Sequence, residues 1–177
     1  YSVPIWCLGN EMDGSWQIGH VPAAQYAERA SQTAKLLKDA DPSVETVACG
    51  SSDPIVKTYL EWDRTVLECL GDRADYISVH RYVGNHENDT ASFLGVTNSI
   101  DQQIEDVDAV CLDVAARKNL MQRPFLCFDE WNVWYKTKIA GTMNGGGKFA
   151  QPIIEEVYNL EDALVAAGFL MSFIRHA

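Results

Sequence analysis

Much of what would point to other chemistries is missing from this sequence. No uninterrupted apolar run approaches the roughly 18 residues of a membrane-crossing helix. There is no CxxC pair, no GxGxxG or GxxxxGK[ST], and none of the four histidines falls in HxH or HExxH spacing. These gaps argue against a membrane span, a thiol redox motif, a phosphate-cradling loop and a metal centre, so neither metal nor organic cofactor is expected. Positive charge is scarce: Lys and Arg number 14 against 25 Asp and Glu, a formal net charge of −11. Nucleic acid and anionic membrane surfaces are therefore excluded as natural partners. The five cysteines, an odd count, sit mostly within apolar runs. They read as buried, reduced thiols from a reducing compartment, which favours the cytoplasm; one disulfide plus a free thiol is the alternative. The chain opens on Tyr1 almost directly into a strand-like run and closes on an apolar helical run without a stop signal. Both ends read as cut, and residues 1–177 as one partial domain.

What is present is alternation. Four apolar runs, 3–9, 44–50, 75–80 and 124–130, lack the every-second-residue polarity of half-exposed strands and read as strands covered on both faces. Helical stripes separate them. One runs through Ala23, Ala27, Ala30, Ala34 and Leu37, with Pro42 as its stop. A second runs through Ile55, Tyr59, Trp62, Val66 and Cys69, and a third through Ile100, Ile104, Val107, Val110 and Val114. A fourth helix is expected from near Asn159 to the end. Strand and helix in strict alternation predict an α/β chain with a parallel sheet and right-handed crossovers. An open doubly wound sheet and part of a (β/α)8 barrel both fit. A whole barrel takes about 250 residues. Segment 136–152, with its glycine triplet, reads as a long loop.

In such sheets ligands bind beyond the C-terminal ends of the strands, and the polar residues gather there. The first strand leads into Asn10 and Glu11, the third into His80, Arg81 and Tyr82, and the fourth into Asp129 and Glu130 followed by Trp131, Asn132, Val133, Trp134 and Tyr135. A charge beside a buried run costs several kcal/mol unless it is paired or used. Two glutamates at matching strand ends suit glycoside hydrolysis, in which one carboxyl protonates the leaving oxygen and the other is nucleophile or base. The indoles around Glu130 suit stacking on sugar rings. The plainer alternative is that Glu11 and Glu130 cap helices or pair with Arg81 or Lys136. His80 reads as a hydrogen-bonding wall of the site or a buried structural histidine. Asp129 reads as a loop anchor rather than a group that raises the pKa of Glu130. Ser51 and Ser52 lack a base partner, and the NDT triplet at 88–90 is not expected to carry a glycan.

The strings WCLGNEMDGSWQIGH and FDEWNVWY, with YISVHRY and YNLEDAL, resemble glycoside hydrolase family 51, the α-L-arabinofuranosidases, over nearly the whole chain. The resemblance implies a retaining (β/α)8 enzyme, here cut to about strands four to seven with their helices. It implies Glu11 as acid/base and Glu130 as nucleophile, Asn10 on the sugar 2-hydroxyl, Tyr82 orienting the nucleophile and Trp134 lining the sugar pocket. The substrate it implies is a terminal arabinofuranoside of plant-wall arabinan or arabinoxylan, and the full-length protein is expected to be a homo-oligomer. A β-xylosidase or endoglucanase of the same clan, and a non-catalytic carbohydrate-binding fragment, are the alternatives.

Overall fold

The computed structural model describes residues 3–135 and 157–177. The loop read at 136–152 lies outside them. The chain is α/β, with a four-stranded parallel sheet in the order β1-β2-β3-β4. Its elements follow one another as β1 (Ile5–Cys7), α1 (Ala23–Ala40), β2 (Glu45–Ala48), α2 (Glu61–Leu70), β3 (Tyr76–Val83), α3 (Thr90–Gly95), α4 (Thr97–Lys118), β4 (Phe125–Val133) and α5 (Leu160–Arg175). Ile5 lies opposite Glu45 and Cys7 opposite Val47, and Val47 opposite Tyr76. The Phe125 N–H donates to the Asp75 carbonyl at 2.9 Å where β4 joins β3. Strand order that follows chain order is what repeated right-handed β–α–β crossovers produce.

The chain divides into two compact units. The first comprises Tyr1–Arg81 and Gln103–Glu130. In its core the alanine stripe of α1 (Ala27, Ala30) meets Trp62, Val66, Leu67 and Leu70 of α2, with Ile77 and Val79 of β3 and Val107, Val110 and Val114 of α4. Small side chains let α1 approach closely, and the Tyr26 and Trp62 rings stack with centroids 5.3 Å apart. The Tyr26 hydroxyl ties two strand ends, donating to the Leu8 carbonyl at 3.0 Å and accepting from the Cys49 N–H at 2.7 Å. The second unit comprises Tyr82–Gln102 and Trp131–Ala177. Here Trp131 packs on Phe169 and Phe173, with centroids 5.2 and 5.1 Å away. Helix α5 starts where expected because Asn159 and Asp162 cap each other: the Asn159 side chain accepts from the Glu161 N–H at 2.8 Å, and Asp162 accepts from the Asn159 N–H at 2.8 Å.

Several expectations need correction. Strands β3 and β4 do not stop at His80 and Glu130; they run on to Val83 and Val133. Helix α2 starts at Glu61, not near Ile55, which is 86% exposed. Leu60 has φ 63°, in the left-handed region that a helix cannot pass through. The buried Asp63 carboxylate accepts from the Leu60 N–H and from both N–H and hydroxyl of Ser51, which pins 51–60 as turns. Helix α3, opened by Asp89 accepting from the Ser92 N–H at 3.1 Å, was not foreseen. All five cysteines are free, but only Cys49 and Cys111 are buried; Cys7 and Cys69 are exposed and Cys127 lies between. Among the described residues β1 has a sheet neighbour on one side only, and all three of its residues, Cys7 included, are solvent-accessible.

Candidate active site

After β1 the backbone turns sharply. Gly9 has φ 124°, and a Cβ there would lie 2.9 Å from Met12 Cγ, so the turn needs glycine. Glu11 then has φ 46°, an uncommon conformation for a residue with a side chain. Short turns follow, with the Gly14 N–H on the Glu11 carbonyl at 2.9 Å and the Gln17 N–H on the Gly14 carbonyl at 3.1 Å. The loop is tied to the end of β2: Asp13 accepts from the Ser52 N–H at 3.0 Å and hydroxyl at 3.1 Å. It returns Trp16 over Glu11, where the indole N–H donates to Glu11 Oε2 at 2.6 Å while the ring stays 60% exposed.

His80, only 2% exposed, joins the two glutamates. Its Nδ1 lies 3.3 Å from Glu11 Oε1 and 3.8 Å from Glu130 Oε2, and its Nε2 lies 3.2 Å from Asp129 Oδ1. Its backbone carbonyl accepts from Gln103 Nε2 of α4 at 3.0 Å. Burial pulls the imidazole pKa down. Hydrogen bonds to Asp129 and Glu11 and the charge of Glu130 more than offset that and hold it at about 9. Glu11 is held below the ordinary carboxylate range. The His80 hydrogen bond is the largest cause, burial opposes it, and Trp16 and Gln17 add to it.

The folded imidazole thus binds its proton more tightly than an unfolded one, whose pKa is 6.5. Its stabilising effect is complete below pH 6.5 and is lost as pH rises through about 9. The melting temperature is therefore expected to fall over that interval, and His80→Gln to flatten the fall. An equal slope in the variant, followed by calorimetry, would show that His80 is not the titrating group.

One ligand-type atom each from Glu11, His80 and Glu130 lie within 4.8 Å of one another, close enough to share a metal ion. Carboxylates face both ring nitrogens of His80, an arrangement that favours the protonated ring, so a metal ion would have to displace a proton there.

The structure thus brings Glu11, His80 and Glu130 together, and Asn10, exposed, directly precedes Glu11. Tyr82 and Trp134 meet edge to face in the second unit, centroids 5.1 Å apart, and line a cavity of 180 Å³ with Asn132, Val133 and Tyr158. Asp129 is no loop anchor: it lies within β4 and faces His80. Ser51 donates its N–H and its hydroxyl to the Asp63 carboxylate. Sequence reasoning missed Trp16. Its signal was an indole five residues beyond Glu11, inside a motif already singled out. Among the described residues no helix is long and apolar enough to cross a membrane.

The family profile described as the α-L-arabinofuranosidase C-terminal domain matches residues 129–177. An intracellular exo-α-(1→5)-L-arabinofuranosidase from Acetivibrio thermocellus is 44% identical over 180 residues, covering 100% of this chain and 36% of that protein. One from Bacillus subtilis is 43% identical over 177 residues, covering 100% and 35%. Among solved structures, a family 51 α-L-arabinofuranosidase from Bifidobacterium longum superposes with a TM-score of 0.89 at 30% identity, covering 97% of this chain and 35% of that one. The resemblance carried by the two glutamate motifs is borne out along the chain, which spans about a third of the length of these relatives.

Proposed function

We infer that this chain is part of a glycoside hydrolase family 51 enzyme, the portion that carries both reacting carboxylates of a retaining, exo-acting α-L-arabinofuranosidase. The observation that carries this reading is the closeness of Glu11 and Glu130, with facing oxygens within 4.8 Å across His80. Retaining glycosidases hold their carboxyl groups about 5–5.5 Å apart, whereas inverting ones leave about 6.5–9.5 Å for a water. Neither glutamate is the cap residue of α1, α2, α3 or α5, which weighs against the capping alternative.

In this mechanism Glu130 attacks the anomeric carbon while Glu11 protonates the departing oxygen. Glu11 then removes a proton from the water that releases arabinose. Hydrogen bonds from His80 and Trp16 favour the charged form of Glu11. A bound sugar that excludes water pushes the other way, so the working range falls on the acid side of neutrality. Asn10 is assigned to the sugar 2-hydroxyl, and Tyr82 and Trp134 to the sugar pocket. The four strands correspond to barrel strands four to seven, and the whole of 1–177 to one partial barrel domain. The relatives act on arabinofuranosides under their printed names, several of them intracellular. The same substrate class, the arabinose side chains of plant-wall polymers, and a cytoplasmic site are proposed here, with a homo-oligomer for the full-length protein.

The test uses the full-length protein that contains this chain. It is expected to hydrolyse nitrophenyl α-L-arabinofuranoside at least about tenfold faster than the β-xyloside or cellobioside, judged as kcat/KM. Proton NMR during the reaction should show the retained anomer first. An inverted first product, or a preference for the xyloside, would replace this reading with another member of the clan.

A further inference from the structure

Asp129 has no part in the two-carboxylate chemistry, yet it faces the side chain that joins those carboxylates. Glu11 and Glu130 stand close enough to repel each other strongly when both are charged. His80 lies against both through Nδ1, and its other nitrogen meets one group, Asp129 Oδ1 at 3.2 Å. A buried imidazole between two carboxylates can turn, or can settle as a neutral tautomer. A carboxylate on its far nitrogen opposes both: it fixes the ring's orientation, and with negative charge on both edges it favours the doubly protonated imidazolium, which donates from Nδ1 as well as from Nε2.

We propose that Asp129 is a positioning residue which, by holding the Nε2 edge of His80, keeps that ring doubly protonated, so that a cation bridges Glu11 and Glu130 from Nδ1. This rests on the reading of Glu11 and Glu130 as the reacting pair. The charged groups that meet the ring are Glu11 from the loop after β1, and Asp129 and Glu130 from β4, while Gln103 of α4 donates to the backbone carbonyl of the same residue. The field of Asp129 is felt well beyond the ring. The thiols of Cys7, Cys49 and Cys127 are each pushed up, first by burial and then in part by this carboxylate. With His80 fixed as a donor, the close pair of carboxylates has a cation between them. Asp129 acts on Glu11 through the ring and does not touch the sugar.

The substitution that separates this role from simple packing is Asp129→Asn, made in the full-length protein, with Asp129→Glu beside it. Asparagine can present an N–H to Nε2, which favours the neutral ring. The His80 titration, followed by NMR of labelled histidine side chains, is expected near pH 9 in the unaltered protein. In Asp129→Asn it should fall by about two pH units, and Asp129→Glu should restore most of it. The alkaline limb of kcat/KM should move up by about one pH unit in Asp129→Asn as Glu11 loses its charged donor. A structural role alone would lower the rate at every pH without moving the limb, and that outcome overturns the proposal. So does a His80 titration at or below 6.5, the ordinary histidine value, in the unaltered protein, whether or not the asparagine variant folds. The ring titration is read without turnover, so a protein that failed to cleave arabinofuranosides would disprove the functional reading and leave this measurement standing.

Discussion

Glu130→Gln in the full-length protein is expected to lower arabinofuranoside turnover by about 10⁴-fold or more, the scale seen when a nucleophile that works in concert with its partners is removed. The amide keeps the shape and most hydrogen-bonding capacity of the side chain, and Glu130 is one-third exposed in its place beside His80. The melting temperature should therefore change little. A 2-fluoro arabinofuranoside with a good leaving group should label the unaltered enzyme, because the fluorine slows hydrolysis of the glycosyl ester more than it prevents ester formation. Digestion and mass spectrometry should place the label within 125–133, on Glu130. A label on Glu11 would exchange the two roles, and a label elsewhere would remove Glu130 from the mechanism.

Glu11→Ala should show a loss that depends on what leaves. General acid assistance is worth about 10²–10⁴-fold, and it matters most when the leaving oxygen is a poor one. Sugar and alkyl arabinofuranosides should lose that whole factor, while a dinitrophenyl arabinofuranoside should keep fast glycosylation and stall at the glycosyl ester for want of a base. Azide, which needs no base, should restore the rate and yield the retained glycosyl azide. Equal losses across leaving groups, with no response to azide, would contradict the acid/base role. The two variants divide the reaction at its intermediate, which Glu130→Gln should never reach and Glu11→Ala should accumulate.

The sheet and the two glutamates were legible because the strands show themselves as apolar runs, although β1 is exposed throughout and β4 is buried only at Val133, and because Glu11 and Glu130 break such runs. The strand ends were not legible for a related reason. A strand that carries a site keeps polar residues inside its ladder, so the expected strand ends at His80 although β3 continues through Arg81 and Tyr82. The start of α2 was hidden because Ile55 and Tyr59 fit the helical stripe, and nothing local says that Asp63 will be claimed by Ser51. The contact between Asp129 and His80 joins β4 to β3 across a long stretch of chain, and no spacing rule encodes it. Trp16 was visible as an aromatic residue but not as a donor to Glu11, since that depends on how the loop returns after the turn at Gly9.

The positive φ of 46° at Glu11 sets a limit on how this protein can be improved in the laboratory. Holding a side-chain-bearing residue in that region costs of order 1–3 kcal/mol, and glycine would avoid most of it. A library screened only for heat resistance or expression yield therefore has a backbone gradient at position 11 that leads toward glycine, and so toward a protein without the carboxylate proposed as its proton donor. Any such campaign has to score turnover in every round, because at this residue foldability and chemistry pull the chain in opposite directions.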